Sequence, residues 1–208
     1  MKRILCFGDS NTWGYEPATG MRYGSDARWT GVLSKVLGTG YEIIEEGLNG
    51  RTTVLDDPYE EYKNGRDYLI PCLESQRPLD LVVLMLGTND LKARFGVSAF
   101  DISKGIETLV KLIQNGESGI RGKPPEVLLI APPPVAKLTD YAEMFAGADF
   151  KSQGLGGQYA RVAKEMNCAF MDASTVIVSS PLDGIHFEAG EHQKLGKAVA
   201  VAVGKLIG

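Results

Sequence analysis

The sequence predicts an α/β fold, a three-layer α/β/α sandwich around a five-stranded parallel sheet with flavodoxin-like strand order. Three observations carry that reading. Short apolar runs alternate along the chain with stretches of helical period. The runs are apolar almost without interruption, as strands covered on both faces require. A Gly-containing polar turn follows each of the first three runs, and in a parallel sheet those turns meet at one edge. The 208 residues suit a single domain, 1–208, large enough to bury a substantial core.

In chain order, strands are expected at 3–7, 41–45, 79–86, 127–131 and 169–171. Between the first two, Trp29, Val32, Leu33, Val36 and Leu37 share a helical face. After the third, Ile102, Ile106, Leu109, Val110 and Ile113 repeat the pattern behind Ser98, whose hydroxyl suits a helix cap. The last stretch carries the same stripe with Leu195, Ala198, Val199, Ala202, Val203 and Leu206. Two connections are unusually long. One, around 57–70, is charged and Tyr-rich; the other, 132–157, opens on Pro132-Pro133-Pro134 and carries Phe145 and Phe150. Long loops at this edge build a pocket or an interface.

Bulk chemistry narrows the partners. The formal net charge is −4 and no basic stretch is clustered, which argues against nucleic acid or an anionic membrane surface. No apolar run reaches the length of a membrane span. Lys2 and Arg3 precede an apolar run, but it is too short for a secretion signal and reads as the first strand, so a cytoplasmic location is expected. Cys6, Cys72 and Cys168 form no C-x-x-C pair and read as buried free thiols.

The first turn, Gly8-Asp9-Ser10-Asn11, places a serine where a strand ends. A nucleophilic serine needs a base, a group that orients the base, and donors for the developing oxyanion. The chain has only two histidines. His186 stands in "SPLDGIHF", three residues after Asp183, so one local turn can supply base and orienter together. His192 reads as a solvated or capping-region residue of the last helix. The turn after the second strand, "GLNGRTT", and the "GTND" after the third lie at the same expected edge. Asp9 and Asp90 read as loop braces, and Asn49 and Thr88 as turn residues.

Taken in order, G-D-S, the Gly of the second turn, G-T-N-D and D-x-x-H resemble the SGNH (GDSL-type) hydrolases over nearly the whole chain. The resemblance implies Ser10 as nucleophile, His186 as general base and Asp183 as its orienting carboxylate. The implied oxyanion donors are the N–H of Ser10, the N–H of Gly50 and the amide of Asn89, with Gly47 left to the tight strand exit. The chain departs from the family's usual GDSL by carrying Asn11 in place of Leu, which bears on the pocket floor. "KRILCFGDSNTWGY", "RWTGVLSKVLG", "IEEGLNGRTT" and "LDLVVLMLGTND" are similar to the arylesterase/acyltransferase branch. That branch implies short acyl (acetyl or aryl) ester substrates, acyl transfer to alcohols or peroxide, no cofactor and no metal. It also implies a homo-oligomer, with Asn11, Trp13 and Tyr15 as substrate-binding candidates.

Other readings compete. A carbohydrate acetylesterase or a thioesterase/lysophospholipase of the same family differs in pocket shape. A flavodoxin-like phosphate-binding module would use "GDSNTWG" as an anion loop, but no Walker or dinucleotide glycine string is present. A metal hydrolase lacks H-E-x-x-H, and an α/β-hydrolase lacks the G-x-S-x-G elbow.

Overall fold

The computed structural model describes residues 1–208. Its strands are β1 (Lys2–Gly8), β2 (Tyr41–Gly47), β3 (Leu81–Met85), β4 (Glu126–Ala131) and β5 (Ala169–Asp172). Its α-helices are α1 (Ser10–Trp13), α2 (Trp29–Leu37), α3 (Gly65–Gln76), α4 (Ala99–Gln114), α5 (Ala148–Ser152), α6 (Leu155–Glu165) and α7 (Ala189–Ile207). All strand pairs are parallel, in the order β2-β1-β3-β4-β5, as expected. The third strand is shorter than its apolar run, because Leu79 pairs outside the sheet with Gly119.

Side-chain alternation divides the core into two layers. Ile4 and Cys6 of β1 point to one face and pack with Trp29 and Leu33 of α2 and with Leu195, Val199 and Val203 of α7. Leu5 and Phe7 point to the other and pack with Leu69 of α3, Ile102 and Ile106 of α4, and Tyr159 of α6. Two details of the expected helical stripe differ. Val36 is exposed, although Leu37 next to it still packs against the core. Cys168 is only half-buried, whereas Cys6 and Cys72 are buried as read.

The sequence pattern missed α3 and α6. In α3, Pro71 sits inside the helix and Tyr68 and Ile70 face solvent, so the apolar period is broken. In α6, Gly156 and Gly157 in the first turn read as loop. Ser98 does cap α4, and with Asp101 completes a reciprocal capping box.

The register fixes where the turns meet. Gly8 at the end of β1 pairs with Gly47 of β2 and Met85 of β3, so the three following turns leave the sheet side by side. Gly47 is required by close approach: a Cβ there would lie 2.1 Å from the Trp13 nitrogen, so α1 can pack on the strand end.

Candidate active site

Ser10 is the first residue of α1, separated from the end of β1 by Asp9 alone. Asp9 caps that short helix by accepting from the Asn11 N–H at 2.9 Å. The serine side chain therefore projects from a braced turn at the carboxyl edge of the sheet, beyond the end of β1.

The partner of Ser10 comes from the loop before α7. Asp183 Oδ1 accepts from the N–H groups of Ile185 and His186, at 2.8 and 2.9 Å. Its Oδ2 accepts from the His186 Nδ1–H at 2.6 Å. Burial alone would raise the Asp183 carboxyl, but the hydrogen bonds from the His186 ring and from the two N–H groups outweigh it and hold the group below its ordinary range. An ionised carboxylate only accepts, so Nδ1 carries the proton and Nε2 is left to accept from the Ser10 hydroxyl, 2.9 Å away. All three side chains are buried. This is a continuous serine–histidine–carboxylate chain.

The loop is held from several sides. Ser180 N–H donates to the His186 carbonyl at 2.7 Å, and Ala136 N–H donates to that of Gly184 at 2.8 Å. The Asn11 amide reaches the Ile185 carbonyl at 3.4 Å. The Tyr15 ring stacks on the imidazole at 4.0 Å between centroids, and Tyr141 meets it edge-on at 6.0 Å. The two tyrosine hydroxyls lie 3.2 Å apart.

On the other side of Ser10, Gly50 adopts φ +81°, a left-handed conformation that favours glycine. The N–H groups of Ser10 and Gly50 have no acceptor in the protein. Asn89 Nδ2 donates to the Arg51 carbonyl at 3.1 Å, which orients the amide and leaves its second N–H for the pocket. Beneath them Asp90 accepts from the Thr53 N–H through both oxygens, at 3.1 and 3.0 Å, and from the Thr53 hydroxyl. Asp9 and Asp90 thus brace turns as read from the sequence; burial pushes both carboxyls up to about 6.

The cavity over these groups measures about 150 Å³. Ser10, Asn89, His186 and Gly50 line it, with Tyr15, Tyr141, Met144, Phe145 and Ile185 as its apolar wall and Asn49, Glu60 and Lys92 as its polar one. The long 132–157 connection therefore supplies aromatic wall, and the 57–70 excursion supplies Glu60. A larger cavity of about 710 Å³ lies beyond Glu60, between the end of β2 and residues 56–68, and contains neither Ser10 nor His186.

Of the three substrate-binding candidates only Tyr15 reaches the pocket. The short helix α1 turns Asn11 into the core, where it is buried under the histidine loop. Trp13 is turned away, and its ring faces the Arg22 guanidinium at 5.3 Å. His192 is not solvated, contrary to its sequence reading. It is fully buried, accepts from the Trp29 N–H at 3.3 Å through Nδ1, and packs against Tyr23 and Phe187. Desolvation lowers its pKa to about 3. The sequence reading overlooked Ile185, Tyr141, Met144 and Lys92. Ile185 and Lys92 had a signal, since each lies within three residues of a motif residue.

The fold and this constellation define a serine ester hydrolase built on a three-layer α/β/α sheet. The family model described as "GDSL-like Lipase/Acylhydrolase family" matches residues 6–193, and the chain belongs to that family. The structure is similar to the aryl esterase of M. smegmatis, at 43% identity and TM-score 0.96 with 100% of both chains covered. It is equally similar to a carbohydrate acetylesterase from Sinorhizobium meliloti, at 42% identity, TM-score 0.96 and the same 100% coverage. In sequence it is 25% identical to an acetylxylan esterase of Xylanibacter ruminicola over 97% of this chain, which spans only 43% of that protein.

Proposed function

We propose that this protein hydrolyses short-chain acyl esters, acetyl and aryl esters foremost, through an acyl-enzyme on Ser10. The observation that carries the reading is the Asp183–His186–Ser10 chain opening into a cavity of only about 150 Å³. A cavity of about that size holds a molecule like benzene, well below the usual drug-sized pocket. It suits a small acyl or aryl group better than a fatty chain.

Ser10 Oγ attacks the ester carbonyl while His186 Nε2 takes its proton, forming the C–O bond of a tetrahedral oxyanion. The N–H groups of Ser10 and Gly50 and the free N–H of Asn89 stabilise that oxygen. Collapse expels the alcohol, which receives the proton from His186, and leaves the acyl-enzyme. Water then repeats the sequence in reverse and releases the carboxylic acid; an alcohol or peroxide in its place gives acyl transfer. Asp183 holds the imidazole in the working tautomer throughout. No step calls for a metal or cofactor.

The proposal includes one domain over 1–208, small-molecule esters as partners, no nucleic acid or membrane surface, and a cytoplasmic location. The net charge of −4 and the three free cysteines support it. No helix is long and apolar enough to cross a membrane. A homo-oligomer is also proposed, through the 57–70 and 132–157 segments, on which Tyr59, Tyr62 and Phe150 are exposed. A second reading, a carbohydrate acetylesterase, is favoured by the polar wall of Asn49, Glu60 and Lys92, which suits a hydroxylated leaving group.

A panel of chromogenic esters graded by acyl length, run with and without added alcohol, tests the reading. Acetyl and propionyl esters should be the best substrates, with rates falling for longer chains. Rates that climb toward octanoyl, or a preference for thioesters, would favour the thioesterase/lysophospholipase reading.

A further inference from the structure

Arg51 sits where the three site-bearing turns meet, yet it does not itself line the catalytic pocket; it borders the larger cavity beside it. Its side chain is buried, with the residue 2% exposed. Nη1 donates to the Gly8 carbonyl at 2.9 Å, at the end of β1, and to the Glu46 carbonyl near the end of β2. The guanidinium lies 4.2 Å from the Phe7 ring centroid and 5.2 Å from that of Tyr68. Its own carbonyl accepts from Asn89 Nδ2 at 3.1 Å, in the turn after β3. Its N–H closes the second turn onto the Leu48 carbonyl at 3.0 Å, immediately after Gly50.

This position has a physical consequence. Between β1 and β2 the backbone ladder ends with the Leu48 N–H on the Gly8 carbonyl at 3.2 Å, so the turns beyond that bond have no ladder to hold them in register. An oxyanion hole, however, works only if its donors are fixed before charge develops. One residue here ties the end of β1, two residues before Ser10, to the end of β2 and, through its carbonyl, to the Asn89 amide. The hydrogen-bond partners of the guanidinium are carbonyls and no carboxylate. A buried cation without a hydrogen-bonded counterion is a costly way to make a purely structural tie. It also leaves positive charge behind the turn where negative charge develops.

We propose that Arg51 is the positioning residue of the oxyanion hole, holding the Ser10 turn, Gly50 and Asn89 in one fixed arrangement. The inference rests on the assignment of Ser10, Gly50 and Asn89 made above. Its effect belongs in the transition state: ester binding needs the pocket walls, whereas oxyanion stabilisation needs the donors aligned.

The test is a double-mutant cycle of Arg51→Met with Asn89→Ala, read as kcat and KM on an acetyl ester. Enzyme concentration is set by active-site titration and folding by Tm. Arg51→Met should lower kcat about ten- to hundredfold and move KM less than about threefold. Ser10 phosphonylation by a small organophosphonate, which passes through the same oxyanion, should slow in parallel. Arg51→Lys, which keeps a donor, should recover part of the loss. In the Asn89→Ala background the Arg51→Met effect should shrink, because one of the three positioned donors is already gone, and the remainder should persist through Ser10 and Gly50. An unchanged kcat, a loss confined to KM, or the same factor in both backgrounds would overturn the proposal. If Arg51→Met does not fold, Arg51→Gln, which removes the guanidinium, runs through the same cycle with the same criteria. Ser10→Ala separates the two layers of the argument. Turnover surviving in Ser10→Ala removes the nucleophile reading itself, while a dead Ser10→Ala beside a fully active Arg51→Met removes only the role of Arg51.

Discussion

The two histidines stand six positions apart, and both are buried, yet their surroundings differ in kind. His186 has a carboxylate on one nitrogen and a serine hydroxyl on the other. His192 has a backbone N–H on Nδ1, no partner on Nε2, and aromatic rings about it. Both rings pack against aromatics, so burial and packing do not separate them. What separates them is the sequence of polar partners, which gives His186 a path for a proton and gives His192 none. The loop around His186 brings a carboxylate and a hydroxyl to the two ring nitrogens, whereas the first turns of α7 around His192 pack onto α2.

Removing the chain's own members should break this comparison most severely. Ser10→Ala should cost a factor of about 10⁴ or more in kcat with Tm little changed, measured on an acetyl ester. His186→Ala should approach that loss, while Asp183→Asn should fall short of it by about a hundredfold, since it disturbs the orientation and tautomer of the base but leaves the base in place. A rate unchanged in Asp183→Asn would place the orienting group elsewhere. Next, Asn89→Ala should cost about 10²–10³ in kcat, the usual loss for one oxyanion donor, with KM nearly constant.

The His192 region should answer in stability. In the fold it is held neutral, with a pKa near 3 against about 6.5 in the unfolded chain. The unfolded state therefore binds the proton first as pH falls. The stability this contributes is complete above about 6.5 and is lost as pH drops toward 3, roughly 2 kcal/mol of it by pH 5. Asp9 and Asp90 act in the opposite sense. Their folded pKa values near 6 make them more favourable at low pH, a benefit lost as pH rises through 6. The difference in unfolding free energy between the wild type and His192→Gln, followed from pH 7 to 5, isolates the histidine. It should narrow by about 2 kcal/mol if the glutamine takes over the Trp29 contact, while kcat per folded molecule stays within about twofold. A pH-independent difference would mean His192 is protonated in place. The smallest effect belongs to Tyr15→Phe, which keeps the ring on His186 and loses only the Tyr141 hydroxyl contact. It should change kcat/KM by less than about fivefold on acetyl esters.

The parts of this site legible in the sequence are those in which residue type and chain position coincide. Ser10, Gly50, Asn89, Asp183 and His186 each stand at a strand end or in a short turn, where backbone position dictates where the side chain goes. The strands were legible because burial on both faces leaves continuous apolar runs. His192, Asn11 and Trp13 were misplaced for a common reason: on a helix each residue turns about 100° from the last, so the face seen by a side chain depends on what packs there. Arg51 and Tyr141 were hidden because the Gly8 carbonyl and Phe7 ring that hold the one, and the Tyr15 hydroxyl and His186 ring that meet the other, lie far away in the chain and leave no local pattern. Helix α3 was hidden by Pro71 and by Tyr68 and Ile70 on its open face.

The central claim is that Ser10, activated by His186 and not by His192, carries the acyl group. Peptide mass analysis after brief exposure to a small organophosphonate tests it directly. The account predicts one adduct, on Ser10, forming at similar rates in the wild type and in His192→Gln and slowed by orders of magnitude in His186→Ala. An adduct on another residue, or undiminished labelling of Ser10 in His186→Ala, would contradict it.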